Sequence, residues 1–221
     1  MIRIFCALLA FAPFLLQGQN LQVKAVDSLI EQLTKLPDDT SKVNTYILIS
    51  YNYSTSDPEK GIHYGNEALK LADNLHWKSG QAAAYADIAI NHAALANKSK
   101  ALENNLKALQ LYEELNDSSG IAAVLANVGV IYMEQSNYPE ALDYFFKALL
   151  INEKLNNKSP QAIINENIGN IYFRQQDYRK TEKYYDRALK IYKELGNKAG
   201  LARLLGNAAR VFDAEGDYEK A

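Results

Sequence analysis

Cysteine occurs once in this chain, as Cys6, inside the apolar stretch MIRIFCALLAFAPFLLQGQN at the N-terminus. A single thiol forms no internal disulfide and no zinc–thiolate cluster. Around it, Arg3 supplies a short positive start and Ile4 to Leu16 form an apolar run of 13 residues. That run is too short to cross a bilayer comfortably. Gly18 is a small residue of the kind at which a signal peptidase cuts. Residues 1–18 therefore read as a secretory signal peptide. The expected location is exported, either periplasmic or secreted, or membrane-tethered through a C-terminal segment outside this sequence. Cleavage removes Cys6, and thiol catalysis goes with it.

Surplus charge of either sign is missing too. Lys and Arg number 24 against 26 Asp and Glu, a formal net charge of −2. No basic footprint points to nucleic acid, and no acidic block points to a solvated tail. Histidine is scarce: His63, His76 and His92 occupy unrelated positions and pair at neither i,i+3 nor i,i+4, so no metal site is expected. The chain contains no G-x-x-x-x-G-K-[ST], G-x-S-x-G or H-E-x-x-H pattern. The expectation is a protein with no catalytic constellation and no cofactor, although an output enzyme domain beyond residue 221 stays open.

What the chain does have is repetition. Leu69, Leu109, Leu149 and Leu189 recur every 40 residues, each preceded by an alanine (Ala68, Ala108, Ala148, Ala188). Leu75, Leu115, Leu155 and Leu195 keep the same period, and so do Gly80, Gly120 and Gly200, with Pro160 in the remaining slot. Four units follow, 41–80, 81–120, 121–160 and 161–200, and a fifth begins at 201 and stops at 221. Within the third unit, Leu125, Val128, Gly129 and Tyr132 mark one face of a first helix. Asn137 is placed to N-cap a second helix, whose apolar face is Ala141, Tyr144, Phe145, Ala148, Leu149, Ile151 and Leu155, and Asn156 to Pro160 close it. Asp57, Asn97, Asp177 and Asp217 share the capping position of Asn137. Gly129 and Gly169 are expected to let the second helix approach the first, with Phe145 and Tyr185 filling the space beside them. Residues 19–40 carry an amphipathic pattern over 21–36 (Val23, Val26, Leu29, Ile30, Leu33), expected to be a helix that caps the first unit.

The stretches LANVGVIYMEQSNYPEALDYFFKAL and NENIGNIYFRQQDYRKTEKYYDRAL resemble the tetratricopeptide repeat (TPR). The resemblance runs over residues 41–221. The ordinary repeat has 34 residues; the 40-residue period here is similar to the arrays of LGN-type scaffolds, kinesin light chains and exported bacterial TPR sensors, and implies a longer second helix. It implies an all-α, TPR-type α-solenoid, a superhelix of antiparallel helix pairs. It carries little about function, because the motif residues are the packing residues.

One column goes beyond packing. Asp87, Asn127, Asn167 and Asn207 hold the same first-helix position in successive units, beside the core column and turned from it by about 100°. Asparagine is a weak choice inside a helix, yet its amide both donates and accepts, which suits an extended peptide. The resemblance implies that this position faces the concave groove. Asn170, Arg210, Glu134 and Arg174 are further groove candidates one turn on, and Asn91 and Tyr85 belong to the same lining if it extends that far. Their mixed signs select against long ligands of one charge. A second role fits the column equally: the amides bond the neighbouring repeat and tie the solenoid together.

Three readings of function follow. The leading one is a non-enzymatic scaffold that holds a protein or peptide segment in the groove. The alternative is the N-terminal sensory region of a larger bacterial signalling protein (a histidine kinase, nucleotide cyclase or DNA-binding regulator) whose output domain lies outside these residues. The third is an assembly platform. The fifth unit has its first helix (Leu204, Leu205, Ala208, Phe212) but only the start of its second. The expectation is a fragment of a longer array, with the bare edge as a candidate surface for self-association.

Overall fold

The computed structural model describes residues 26–215, and side chains through Val211. The signal-peptide residues, Val23, the Phe212 side chain and Asp217 lie outside that range. The described residues are helical and contain no strand. They divide into two units, residues 1–108 and 109–221, a division that falls within α5.

In the first unit, α1 (residues 26–33) precedes α2 (Thr40–Tyr53), α3 (Pro58–Asn74), α4 (Lys78–Ala94) and the start of α5 (Lys98–Glu114). Val26 and Leu33 of α1 pack on Ile49, which is wholly buried. That contact explains why a large residue stands where later units use a small one. Asp39 caps α2, its carboxylate accepting from the Ser41 and Lys42 backbone N–H groups.

The second unit holds the end of α5, α6 (Ser118–Glu134), α7 (Tyr138–Lys154), α8 (Lys158–Arg174), α9 (Tyr178–Glu194) and α10 (Lys198–Glu215). Gly129 and Gly169 act as the sequence suggests. A Cβ on Gly129 would stand 2.8 Å from the Phe145 ring, and one on Gly169 would stand 2.4 Å from the Tyr185 ring. Tyr132 stacks on Tyr144 at 5.5 Å between centroids, and Tyr172 on Tyr184 at 5.6 Å, the same pair one period apart.

Five details differ from the sequence reading. The added length is not confined to the second helix: α6, α7, α8 and α9 all have 17 residues. First helices bury more than one face. In α6, Val124 and Ile131 are buried alongside Val128 and Gly129, whereas Leu125 and Tyr132 are half-buried, because first helices have neighbours on two sides. Asn137 occupies the cap of α7 but makes no side-chain cap bond. Pro160 does not close α7. It sits in the first turn of α8, where proline is tolerated. Leu155 likewise is 42% exposed at the end of α7 rather than on its buried face.

The turns repeat at half the sequence period. His76, Ala96, Asn116, Ser136, Asn156, Gln176 and Gly196 all have φ between 52° and 62°, the left-handed region, at every twentieth position. Each closes a helix in the same way: at Ser136, its own N–H bonds Met133 O at 3.0 Å and the Asn137 N–H bonds Tyr132 O at 3.0 Å. This is the paired closure that satisfies the last free carbonyls.

Candidate functional site

In the second unit, α6, α8, α9 and α10 surround a cleft of about 260 Å³ lined by Met133, Asn170, Phe173, Arg174, Tyr185, Asn207 and Arg210. Repeat spacing places it. Asn170 and Arg210 are equivalent positions on α8 and α10, one period apart, and Arg174 lies one turn beyond Asn170. Four of the groove candidates therefore meet here: Asn170, Arg174, Asn207 and Arg210. Asn127 and Asn167 are half-buried on α6 and α8, and Glu134 is exposed at the end of α6; none of the three lines the cleft. Asp87 belongs to the first unit.

The cleft is cationic. Arg174 and Arg210 are exposed, and no lining residue carries a carboxylate. The expectation of mixed signs fails at this place because Glu134 stands outside. Arg210 lies over the Phe173 ring, 5.5 Å from its centroid. That contact holds a guanidinium by its face and leaves its edge N–H groups for a ligand. Arg174 reaches the Tyr138 phenol, whose pKa falls below its ordinary value through a hydrogen bond with Ser136 first and the Arg174 contact after it. The Tyr185 hydroxyl donates to Asn170 Oδ1 at 2.6 Å. Burial pushes the Tyr185 phenol up to about 12, Glu166 adds to the shift and Arg210 opposes it, so the hydroxyl keeps its proton.

Behind Asn207 lies a network that sequence reasoning missed. Glu166 is 3% exposed. Its Oε1 accepts from Arg203 Nε at 2.8 Å and Asn207 Nδ2 at 3.1 Å. Its Oε2 accepts from Arg203 Nη2 at 2.8 Å and the Tyr192 hydroxyl at 2.8 Å. Burial and then the bond to Glu166 raise Tyr192 to about 12, which keeps that hydroxyl a donor. For Asn207 the neighbour-tying role is thus real, reaching back 41 residues, while the same side chain lines the cleft. A charged residue in a column that otherwise holds Tyr46, Ala86, Ala126 and Gly206 was the available signal.

The first unit uses its polar side chains differently. Asn91 is wholly buried and is no groove residue: its Nδ2 donates to Ser50 O at 3.2 Å, to Ser50 Oγ at 3.2 Å and to Asp87 O at 2.8 Å. Its amide fills the place of a Cβ on Gly61, which explains that glycine. Tyr85 carries the Lys107 ammonium over its ring at 5.5 Å. The buried Asp87 Oδ2 has no hydrogen-bond partner, and loss of solvation raises Asp87 to about 7. His92 is lowered by burial and then by Lys100, with Glu103 opposing. Among the described residues no cluster of three potential metal ligands occurs, and no helix is long and apolar enough to cross a membrane.

Comparisons with known proteins agree with this geometry. Residues 122–155 and 160–221 match family profiles described as tetratricopeptide repeat. Comparison with curated protein sequences gives no match. Among solved structures, BtubC (BKLC) from P. vanneervenii is similar at TM-score 0.72 and 21% identity, covering 91% of this chain and 86% of its own. A Rap protein complexed with competence and sporulation factor is similar at TM-score 0.73 and 22% identity, covering 96% and 70%. Aspartyl phosphate phosphatase F from Bacillus subtilis is similar at TM-score 0.71 and 17% identity, and this chain spans 51% of it. At such identities the likeness is one of fold. Taken with the helix pairs described above, these matches make the chain a tetratricopeptide-repeat protein of the all-α solenoid class.

Proposed function

We propose that this chain is a non-enzymatic protein-binding scaffold whose second unit holds an extended, acidic segment of a partner. The observation that carries this is the cleft between α6, α8, α9 and α10, in which Arg174 and Arg210 stand with two amides and no carboxylate. Arginine forks recognise carboxylates in plane, with two parallel bonds each where geometry allows. The amides of Asn170 and Asn207 suit the backbone of the same segment, since an amide side chain matches a peptide group in kind. Helices on each side fix these groups before binding, which lowers the ordering cost of association. The similar Rap protein is one complexed with competence and sporulation factor, which supports capture of a partner by this fold. A sensory role within a larger signalling protein is compatible with this binding activity but has no observation of its own in the cleft.

The test is fluorescence anisotropy with blocked, labelled peptides, one rich in glutamate and one rich in lysine. The glutamate peptide is expected to bind and the lysine peptide to fail. Arg174→Gln and Arg210→Gln are each expected to weaken binding about tenfold, the worth of one charge-assisted bond. Equal binding of both peptides, or no loss in either variant, would refute the reading.

A further inference from the structure

Glu166 and Arg203 form an ion pair that the repeat does not need. The positions equivalent to Glu166 in the other units are Tyr46, Ala86, Ala126 and Gly206, and those equivalent to Arg203 are Val43, Ala83, Ala123 and Ile163. The fold is built at those places without charge. Glu166 is buried while the Arg203 side chain is 55% exposed, and such a pair is weak evidence for stability, because desolvation of the carboxylate and solvent screening of the arginine cancel most of the attraction. A pair that occurs once in a repeating architecture therefore points to a local task, and its contacts say which.

An ionised carboxylate only accepts hydrogen bonds. Asn207 must turn its NH2 group toward Glu166, and its Nδ2 stands 3.1 Å from Oε1. The amide cannot flip while Glu166 keeps its charge. Arg203 engages both carboxylate oxygens through two bonds of 2.8 Å, and Tyr192 donates to Oε2 at 2.8 Å. That leaves Asn207 Oδ1 as the acceptor available to a ligand. Asn170 is held in the opposite sense: its Oδ1 takes the Tyr185 hydroxyl at 2.6 Å, leaving its NH2 as the donor. The two amides line one cleft.

We infer that Glu166, Arg203 and Tyr192 are positioning residues that hold the Asn207 carbonyl oxygen toward the bound segment, so that this position takes a backbone N–H while Asn170 gives its NH2 to a backbone C=O. The cleft then reads chain direction: a segment laid in reverse brings donor to donor and acceptor to acceptor. This inference rests on the acidic-segment reading above.

The experiment uses a blocked peptide, Ala-Ala-Glu-Glu-Ala-Ala, and six versions each bearing one backbone N-methyl group. Against the unmodified chain, one position is expected to lose about tenfold in affinity on methylation, the loss of a single hydrogen bond to a fixed acceptor. The double variant Glu166→Ala with Arg203→Ala leaves net charge unchanged and restores the alanines found at the equivalent positions 86 and 123. It is expected to bind the parent peptide several-fold more weakly and to lose the single sensitive position. Glu166→Gln is the second variant, for use if the double variant melts early. It makes the chain more positive, so charge alone predicts tighter binding of an acidic peptide, whereas release of Asn207 predicts weaker binding. Unchanged affinity with an unchanged methylation profile in these variants would overturn the positioning role and leave the acidic reading intact. Failure of the unmodified chain to bind the parent peptide would overturn both.

Discussion

Each unit of this molecule buries a carboxyl group, and the two are treated in opposite ways. Glu166 in the second unit accepts four hydrogen bonds, two of them from a bidentate arginine. Asp87 in the first unit has a buried oxygen with no partner at all. Satisfied, a buried carboxylate can orient its neighbours. Unsatisfied, it is driven toward the neutral form, to about 7 for Asp87. The same repeat thus hosts one carboxylate that organises a binding cleft and one that lowers stability at neutral pH. A solenoid tolerates both because each repeat is stabilised mainly by its nearest neighbours.

The comparison breaks most severely at Arg203. Arg203→Ala strips the buried Glu166 of its counter-charge; because the Arg203 side chain is 55% exposed, the cost is about 3 kcal/mol, the low end for a buried pair, read as a drop in the urea midpoint. Next is Asp87→Asn, which gives this position the residue found at 127, 167 and 207. The folded pKa is raised above the ordinary 3.8 to about 7, so the folded state binds the extra proton between those values. Stability of the unmodified chain should therefore fall as pH rises from about 4 to 7 and level off above. The variant is expected to remove that slope and to be more stable at pH 8 by roughly 2–4 kcal/mol, with no gain near pH 3.5. Chemical denaturation at a series of pH values measures it, and a gain independent of pH would show that Asp87 is not the group responsible.

Smaller effects sharpen the contrast. Gly169→Ala drives a methyl into the Tyr185 ring that lines the cleft and should cost about 1–3 kcal/mol, with a parallel loss of peptide affinity. Ala96→Gly touches neither carboxylate. It relieves a left-handed alanine at φ 56° and should stabilise the first unit by about 1 kcal/mol, seen as a small rise in the thermal midpoint.

Much of the fold was legible because its causes are periodic. Gly129, Gly169 and the Ala68 column recur where helices must approach, so spacing alone exposed the helix pairs. The half-period of 20 stayed hidden, since His76, Ala96 and Gln176 are not residue types that announce a left-handed turn. The face of the first helices was drawn too narrow because packing on two sides blurs helical periodicity. Asn170, Arg174, Asn207 and Arg210 line one cleft because register aligns them on α8 and α10. Glu166 and Arg203 were not legible, because their pairing joins positions 37 residues apart that no short-range pattern links. Asn91 was misplaced for a related reason: its partner is Ser50, 41 residues away, and burial decides its role.

The most direct test of the central claim is an amide and arginine-side-chain NMR titration of the chain with the blocked Ala-Ala-Glu-Glu-Ala-Ala peptide. The account predicts that the largest shifts fall on Arg174 and Arg210 Nε–H, the Asn170 NH2 and the α8 and α10 backbone beside them, and that they vanish in the Arg174→Gln, Arg210→Gln double variant. Shifts centred instead on an exposed apolar face, such as Leu150 on α7, or no shifts at saturating peptide, would contradict it.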